Sequence, residues 1–161
     1  DFTIEVVPPL VMGGSVVSST AIREALSQGD TATTTRLLGR YFSLSGPVVG
    51  GVERGQTLGF PTANLELNSD HALPTDGVYA TRSHVAGKVC PSVTNIGTRP
   101  TFGGGERTIE THLLDFSGDI YGQKLTLELV ERLRGEMKFA NAGELVTQIN
   151  RDVERARAIL K

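Results

Sequence analysis

Tryptophan is absent, and the 161-residue chain has one cysteine, two methionines and only 6% aromatic residues. With Cys90 alone, no internal disulfide can form and no multi-cysteine metal cluster can be assembled; the residue is expected to serve as a small buried hydrophobe. Charge of one sign is also lacking: 16 Lys and Arg stand against 18 Asp and Glu, so nothing favours nucleic acid or an anionic membrane surface over small ligands as partners. No apolar run approaches the roughly 20 residues of a membrane-spanning helix, and no secretory pattern opens the chain, so the setting expected is cytoplasmic. The chain begins at Asp1 rather than methionine, which fits a fragment or processed form.

Glycine, in contrast, is abundant, at 19 residues, and most of the excess lies between Gly46 and Gly122. Glycine spaced among short Val-, Leu- and Thr-rich segments predicts many short strands joined by tight turns. Segments around 43–49, 61–67, 77–85, 88–95, 108–116 and 124–132 read as strands, and six of them fit a closed Greek-key barrel without exposed edges. Upstream, Phe2–Val7 is strand-like, Ser18 or Ser19 can cap a helix ending at Gly29, and Asp30 can cap a short helix ending near Gly39. Downstream, Asn141 and Glu144 resemble a capping box, and Leu145, Ile149, Val153, Ala156 and Leu160 mark an amphipathic helix covering the barrel. The expected fold is therefore mainly β, a six-stranded Greek-key barrel with a C-terminal amphipathic helix and short N-terminal helices. Residues 1–40 are too few for a core of their own.

Two stretches carry chemistry. In Leu58-Gly59-Phe60-Pro61-Thr62-Ala63-Asn64-Leu65, Thr62 and Asn64 are two apart and share a face if the chain is extended. Their hydroxyl and amide oxygens are hard, uncharged ligands that suit Mg²⁺ only when a nucleotide brings it, so the metal is expected with ATP. Gly46, Gly50, Gly51, Gly55 and Gly59 let backbone N–H groups approach phosphates, although no Gly-Lys-Ser/Thr follows as in a Walker loop. A strand-entry turn capped by Pro61 accounts for the same residues. The second stretch, Thr108-Ile109-Glu110-Thr111-His112-Leu113-Leu114-Asp115-Phe116, sets the Glu110 carboxylate among apolar neighbours. That placement suits a base for an alcohol and equally suits a surface glutamate on a barrel strand.

Gly46-Pro47-Val48-Val49-Gly50-Gly51-Val52-Glu53-Arg54-Gly55-Gln56-Thr57-Leu58-Gly59-Phe60-Pro61-Thr62-Ala63-Asn64 and Glu110-Thr111-His112-Leu113-Leu114-Asp115-Phe116 resemble the riboflavin kinase module of bacterial bifunctional FAD synthetases. The resemblance implies ATP-dependent phosphorylation of riboflavin to FMN, with ADP as the other product. Glu110 would be the general base, Thr62 and Asn64 would hold Mg²⁺, and Gly51, Gly55, Gly59 and Pro61 would form the nucleotide loop. Pro47 and Gln56 depart from the family pattern, since basic residues are common there; the backbone cradle is unaffected.

Thr94-Asn95-Ile96-Gly97, followed by Gly103-Gly104-Gly105, resembles the family's Asn-Ile-Gly segment and mobile loop. Leu133-Arg134-Gly135-Glu136-Met137-Lys138-Phe139 resembles the segment beside the isoalloxazine ring, which gives Asn95, Arg134 and Phe139 places on the flavin side. His112, on the same strand face as Glu110, is expected to be structural or to orient its neighbours. Val17-Ser18-Ser19-Thr20-Ala21-Ile22-Arg23 resembles the end of an FMN adenylyltransferase module, and no His-x-Gly-His motif occurs here. The division implied is 1–40 as the tail of that module, normally fused to the kinase, and 41–161 as the kinase domain. A non-catalytic flavin or nucleotide-binding barrel and a fragment of an FMN adenylyltransferase are the competing readings.

Overall fold

The structure is a computed structural model that describes residues 2–50, 59–67, 71–99 and 106–161. Its elements in chain order are β1 (Val11–Met12), β2 (Ser15–Val16), α1 (Ser19–Gln28), α2 (Thr31–Leu38), β3 (Phe42–Val49) and β4 (Ala63–Leu65). They continue with β5 (Gly77–Val85), β6 (Lys88–Arg99), β7 (Glu106–Leu113), β8 (Lys124–Arg134) and α3 (Ala142–Ile159). Strands β3 to β8 close a six-stranded antiparallel barrel in the order β3-β4-β7-β6-β5-β8, as the six segments expected from sequence required.

Alternation divides every strand. On β7, Ile109, Thr111 and Leu113 are buried while Glu110 and His112 are half-buried on the opposite side. The interior packs Leu44, Val48, Leu65, Tyr79, Ile96, Leu125, Leu127 and Leu129, with Cys90 partly buried against it. A second, smaller cluster of Val78, Ala80, Leu133 and Ala156 lies where α3 covers the outer side of β5 and β8. Two register shifts between β5 and β8 re-phase the end of β8, so that Leu133 joins this cluster and Arg134 pairs with Val78.

The helix ends form as the capping residues require. Ser18 accepts from the Ala21 N–H, Asp30 from Thr33 and Asn141 from Glu144, and α1 and α2 stop at left-handed Gly29 and Gly39. Glu144 reaches back to the N–H of Ala140, one residue before the Asn141 cap, a variant of the capping box expected there. Helices α1 and α2 bury Ala25, Leu26, Thr34 and Leu37, and the Thr75 N–H donates to the Leu26 carbonyl, which ties α1 to the segment entering β5.

Phe2–Val7 differs from the strand-like expectation. It has no regular structure, and Phe2, Ile4, Val6 and Val7 are exposed, because a strand without a partner edge leaves its backbone groups unpaired. The pairing nearby is the short β1–β2 hairpin.

Candidate functional site

Register places the site residues in a row. Asn64 is opposite Glu110, Glu110 opposite Asn95, Asn95 opposite Val78, and Val78 opposite Arg134, so one transverse line crosses β4, β7, β6, β5 and β8. With strands about 4.8 Å apart, Glu110 lies one step from Asn64 and from Asn95, and roughly 14 Å along the sheet from Arg134. Residues drawn from positions 64 to 134 therefore share one surface. Periodicity of a single strand shows which face a residue takes, but not which residue lies beside it on the next strand.

From Glu110 to Arg134 this row floors a cleft of about 560 Å³ lined by Thr62, Asn95, Glu110, His112, Arg134 and Phe139, among others. Its far wall is the irregular stretch 136–139 together with Leu145, Ile149 and Asp152 of α3. The wall comes close to the floor at Gly97, where the end of the Glu136 side chain occupies the space that a Cβ would enter. The apolar run around Glu110 surrounds it only in sequence. Ile109 and Leu113 point into the barrel while Glu110 faces the cleft.

A second cleft of about 390 Å³ adjoins the first, with Phe60 and His112 lining both. Gly59 lies on it at φ +86°, a left-handed conformation that favours glycine. His112 holds the partition. Its Nδ1 lies 2.8 Å from the Pro61 carbonyl, to which an Nδ1–H donates, and its ring meets Phe60 edge to face at 5.6 Å between centroids. Pro61 and Thr62 are thereby tied to the strand that carries Glu110.

On the outer rim of the second cleft, Arg157 of α3 makes a two-pronged bond to Asp115, and that hydrogen bond holds the exposed Asp115 carboxyl below its ordinary range. Asp115 has φ +56° just beyond β7, which ends at Leu113, three residues before the expected 116.

The structure thus brings Thr62, Asn95, Glu110, Arg134 and Phe139 onto one cleft, with Asn64 beside Glu110 in the row and Gly59 on the adjoining cleft. Gly51, Gly55, Gln56 and the Gly103–Gly105 triplet lie outside the described residues. Arg134 is engaged within the protein: Nε and Nη2 bond Asp152, Nη1 donates to the Gly135 carbonyl, and the guanidinium lies 5.8 Å from the Phe139 ring centroid.

Phe60, Glu136 and Asp152 were missed from sequence. Asp152 left a trace there, since it falls three residues after Ile149 and four before Ala156, a charge on the apolar stripe of α3.

Thr62 and Asn64 supply two neutral oxygens next to one carboxylate, a donor set that fits Mg²⁺ arriving with nucleotide phosphates. Among the described residues, no group of three or more His, Cys, Asp or Glu could hold a metal, and no helix is long and apolar enough to cross a membrane.

Comparison with known proteins follows the same lines. The chain is 43% identical over 159 residues to a bifunctional riboflavin kinase/FMN adenylyltransferase of Pseudomonas fluorescens, covering 98% of this chain and 51% of that one. It is 46% identical over 146 residues to the protein of that name from Escherichia coli K12, covering 90% of this chain and 46% of the relative. The chain thus spans about half the length of these relatives.

Among solved structures, one described as a macrolide-efflux protein from Streptococcus pneumoniae superposes with a TM-score of 0.88 at 36% identity, over 94% of this chain and 50% of that one. The riboflavin kinase of Trypanosoma brucei superposes with a TM-score of 0.52 at 26% identity, over 73% and 78%. The family description for flavokinase, riboflavin kinase, matches residues 38–160, and with it the barrel, both clefts and α3: this chain belongs to the riboflavin kinase family.

Proposed function

We propose that this chain transfers the γ-phosphoryl group of ATP to the ribityl 5′-hydroxyl of riboflavin, forming FMN and ADP. The observation that carries the reading is the register row that sets Glu110 between Asn64 and Asn95 on the floor of the larger cleft. The Glu110 carboxylate accepts the proton of the 5′-hydroxyl as its oxygen bonds to the γ-phosphorus and the bond to the ADP oxygen breaks. The larger cleft, with Phe139, Met137, Val78 and Val93 along it, takes the flat flavin ring; the cleft behind Gly59 and Phe60 takes the nucleotide. Thr62 and Asn64 would hold Mg²⁺ with the nucleotide, where the ion supplies charge neutralisation at the phosphates. The two clefts position the reactants next to one another, and positioning is a main protein contribution to phosphoryl transfer.

On this reading residues 41–161 are the kinase domain and residues 1–40 the end of an FMN adenylyltransferase module. The bifunctional names of the relatives and a family match that begins at residue 38 support that division. The setting is cytoplasmic, where ATP is supplied.

Incubation with riboflavin, ATP and Mg²⁺ followed by chromatography tests the proposal. FMN is expected. Unchanged riboflavin overturns the proposal, and points to a binding barrel or, if FMN supplied in its place is converted to FAD, to an adenylyltransferase fragment.

A further inference from the structure

Buried charge needs an explanation, and Asp152 stands out as the buried carboxylate among the described residues, 5% exposed, on a helix whose neighbouring face is apolar. Its oxygens are fully engaged. Arg134 Nε and Nη2 each reach Oδ2 at 2.9 Å, and Gln148 Nε2, one turn earlier on α3, donates to Oδ1 at 2.9 Å. The pair joins the end of β8 to the middle of α3, and it is the more buried of two polar ties there: one turn on, the exposed Arg155 bonds the Leu133 carbonyl and the Glu131 carboxylate. The pair sits where the cleft wall leaves regular structure. After Arg134 the chain runs through 135–140 without a strand or helix until the Asn141–Glu144 cap, and residues 136–139 all line the larger cleft.

Arg134 is the anchor of that wall at its first residue. Its guanidinium bonds the Gly135 carbonyl and lies beside the Phe139 ring, so one planar group touches both ends of the segment. The plane is set by Asp152.

We propose that Asp152 is a positioning residue for the flavin end of the larger cleft, acting through Arg134 to hold the wall 135–139 over the floor. The proposal rests on the riboflavin kinase reading for the identity of the ligand. Because Asp152 engages Arg134, the guanidinium acts as a brace rather than as a cation presented to the ligand, and the two roles predict opposite signs. If the pair is a brace, removing the carboxylate's charge loosens the wall and weakens flavin binding. If Arg134 served the ligand directly, releasing it from Asp152 would leave flavin binding unchanged or tighten it. Effects on the nucleotide separate the brace from general damage, since neither Asp152 nor segment 135–139 lines the cleft behind Gly59.

The test measures, for the full chain with ADP present, the riboflavin dissociation constant by quenching of flavin fluorescence, together with the KM values for riboflavin and ATP. For Asp152→Asn the riboflavin constants are expected to rise about tenfold, the scale of one lost charge-assisted bond, with the KM for ATP within about twofold. Gln148 does not line the cleft, so Gln148→Ala should raise the riboflavin constant by a smaller factor of about three through Asp152 alone. Equal rises for both substrates, or unchanged or tighter flavin binding in Asp152→Asn, overturn the proposal. Should that variant fail to fold, an unchanged riboflavin constant in Gln148→Ala overturns it. Wild-type protein that binds riboflavin without making FMN defeats the kinase reading instead, and leaves the binding comparison to decide on Asp152.

Discussion

The two faces of the same barrel strands use polar side chains in opposite ways. Inside, on β5, β6 and β7, five hydroxyl residues are wholly buried: Thr81, Ser83, Ser92, Thr94 and Thr111. Thr94 donates to Thr111 at 2.8 Å, the Thr81 hydroxyl lies 2.7 Å from those of Thr94 and Ser92, that of Ser83 lies 2.6 Å from Ser92, and Ser92 also reaches the Thr81 carbonyl at 2.9 Å. These hydroxyls satisfy one another inside the barrel. Outside, one residue along from Thr94 and Thr111, Asn95 and Glu110 face a cleft. Polar groups that bond one another in a closed interior fix strand positions; polar groups one step out of phase face space that a ligand can enter. Chemistry is thus assigned to one face and rigidity to the other, by the two-residue alternation alone.

Substitutions on the two faces should separate turnover from stability. Glu110→Gln keeps size and removes the base, so FMN formation should fall by about 10²–10⁴-fold while flavin and nucleotide binding stay nearly intact; a variant with more than half of wild-type turnover removes Glu110 from the mechanism. Leu127→Ala, on the inner face and fully buried, should cost about 2–5 kcal/mol in denaturant unfolding yet leave the kcat of the folded protein close to wild type.

Thr62→Ala or Asn64→Ala should weaken Mg²⁺-dependent ATP binding by about 1.5–3 kcal/mol and metal-free riboflavin binding far less, as calorimetry would show. Equal losses would favour the strand-entry turn as their whole role. Thr94→Val breaks the hydroxyl chain in its middle and should lower stability by about 1–3 kcal/mol, with a smaller change in KM than any outer-face substitution.

The smallest effect is expected away from both faces. Backbone and side-chain bonds from Thr33 lower the Asp30 carboxyl from its ordinary 3.8, so its stabilisation of α2 is present above that value and disappears as pH falls through the lowered one. Asp30→Ala should cost about 1 kcal/mol in melts near pH 7, a difference that shrinks towards pH 3, with FMN turnover unchanged.

The legible parts of this protein were those governed by neighbours in sequence. Six strands, three helix caps and the faces of Thr62, Asn64 and Glu110 follow from alternation, from side-chain oxygens placed before helices, and from glycine at helix ends. Strand limits were less legible. Expected 61–67 shortened to Ala63–Leu65, and expected 88–95 lengthened to Arg99, because ladder length depends on what the partner strands offer. The opening Phe2–Val7 failed as a strand for the same reason.

By itself the sequence determined the composition of the barrel, the ends of its helices and the residue types able to do phosphoryl-transfer chemistry, since each depends on contacts within a few positions along the chain. Only the tertiary structure decided that Asn64, Glu110, Asn95 and Arg134 stand in one row, that His112 joins Pro61 to the strand of Glu110, and that Asp152 braces Arg134. Those relations are set by barrel closure, by the bulges in β8 and by the docking of α3. Each is a long-range choice of register and angle for which local propensity carries no information.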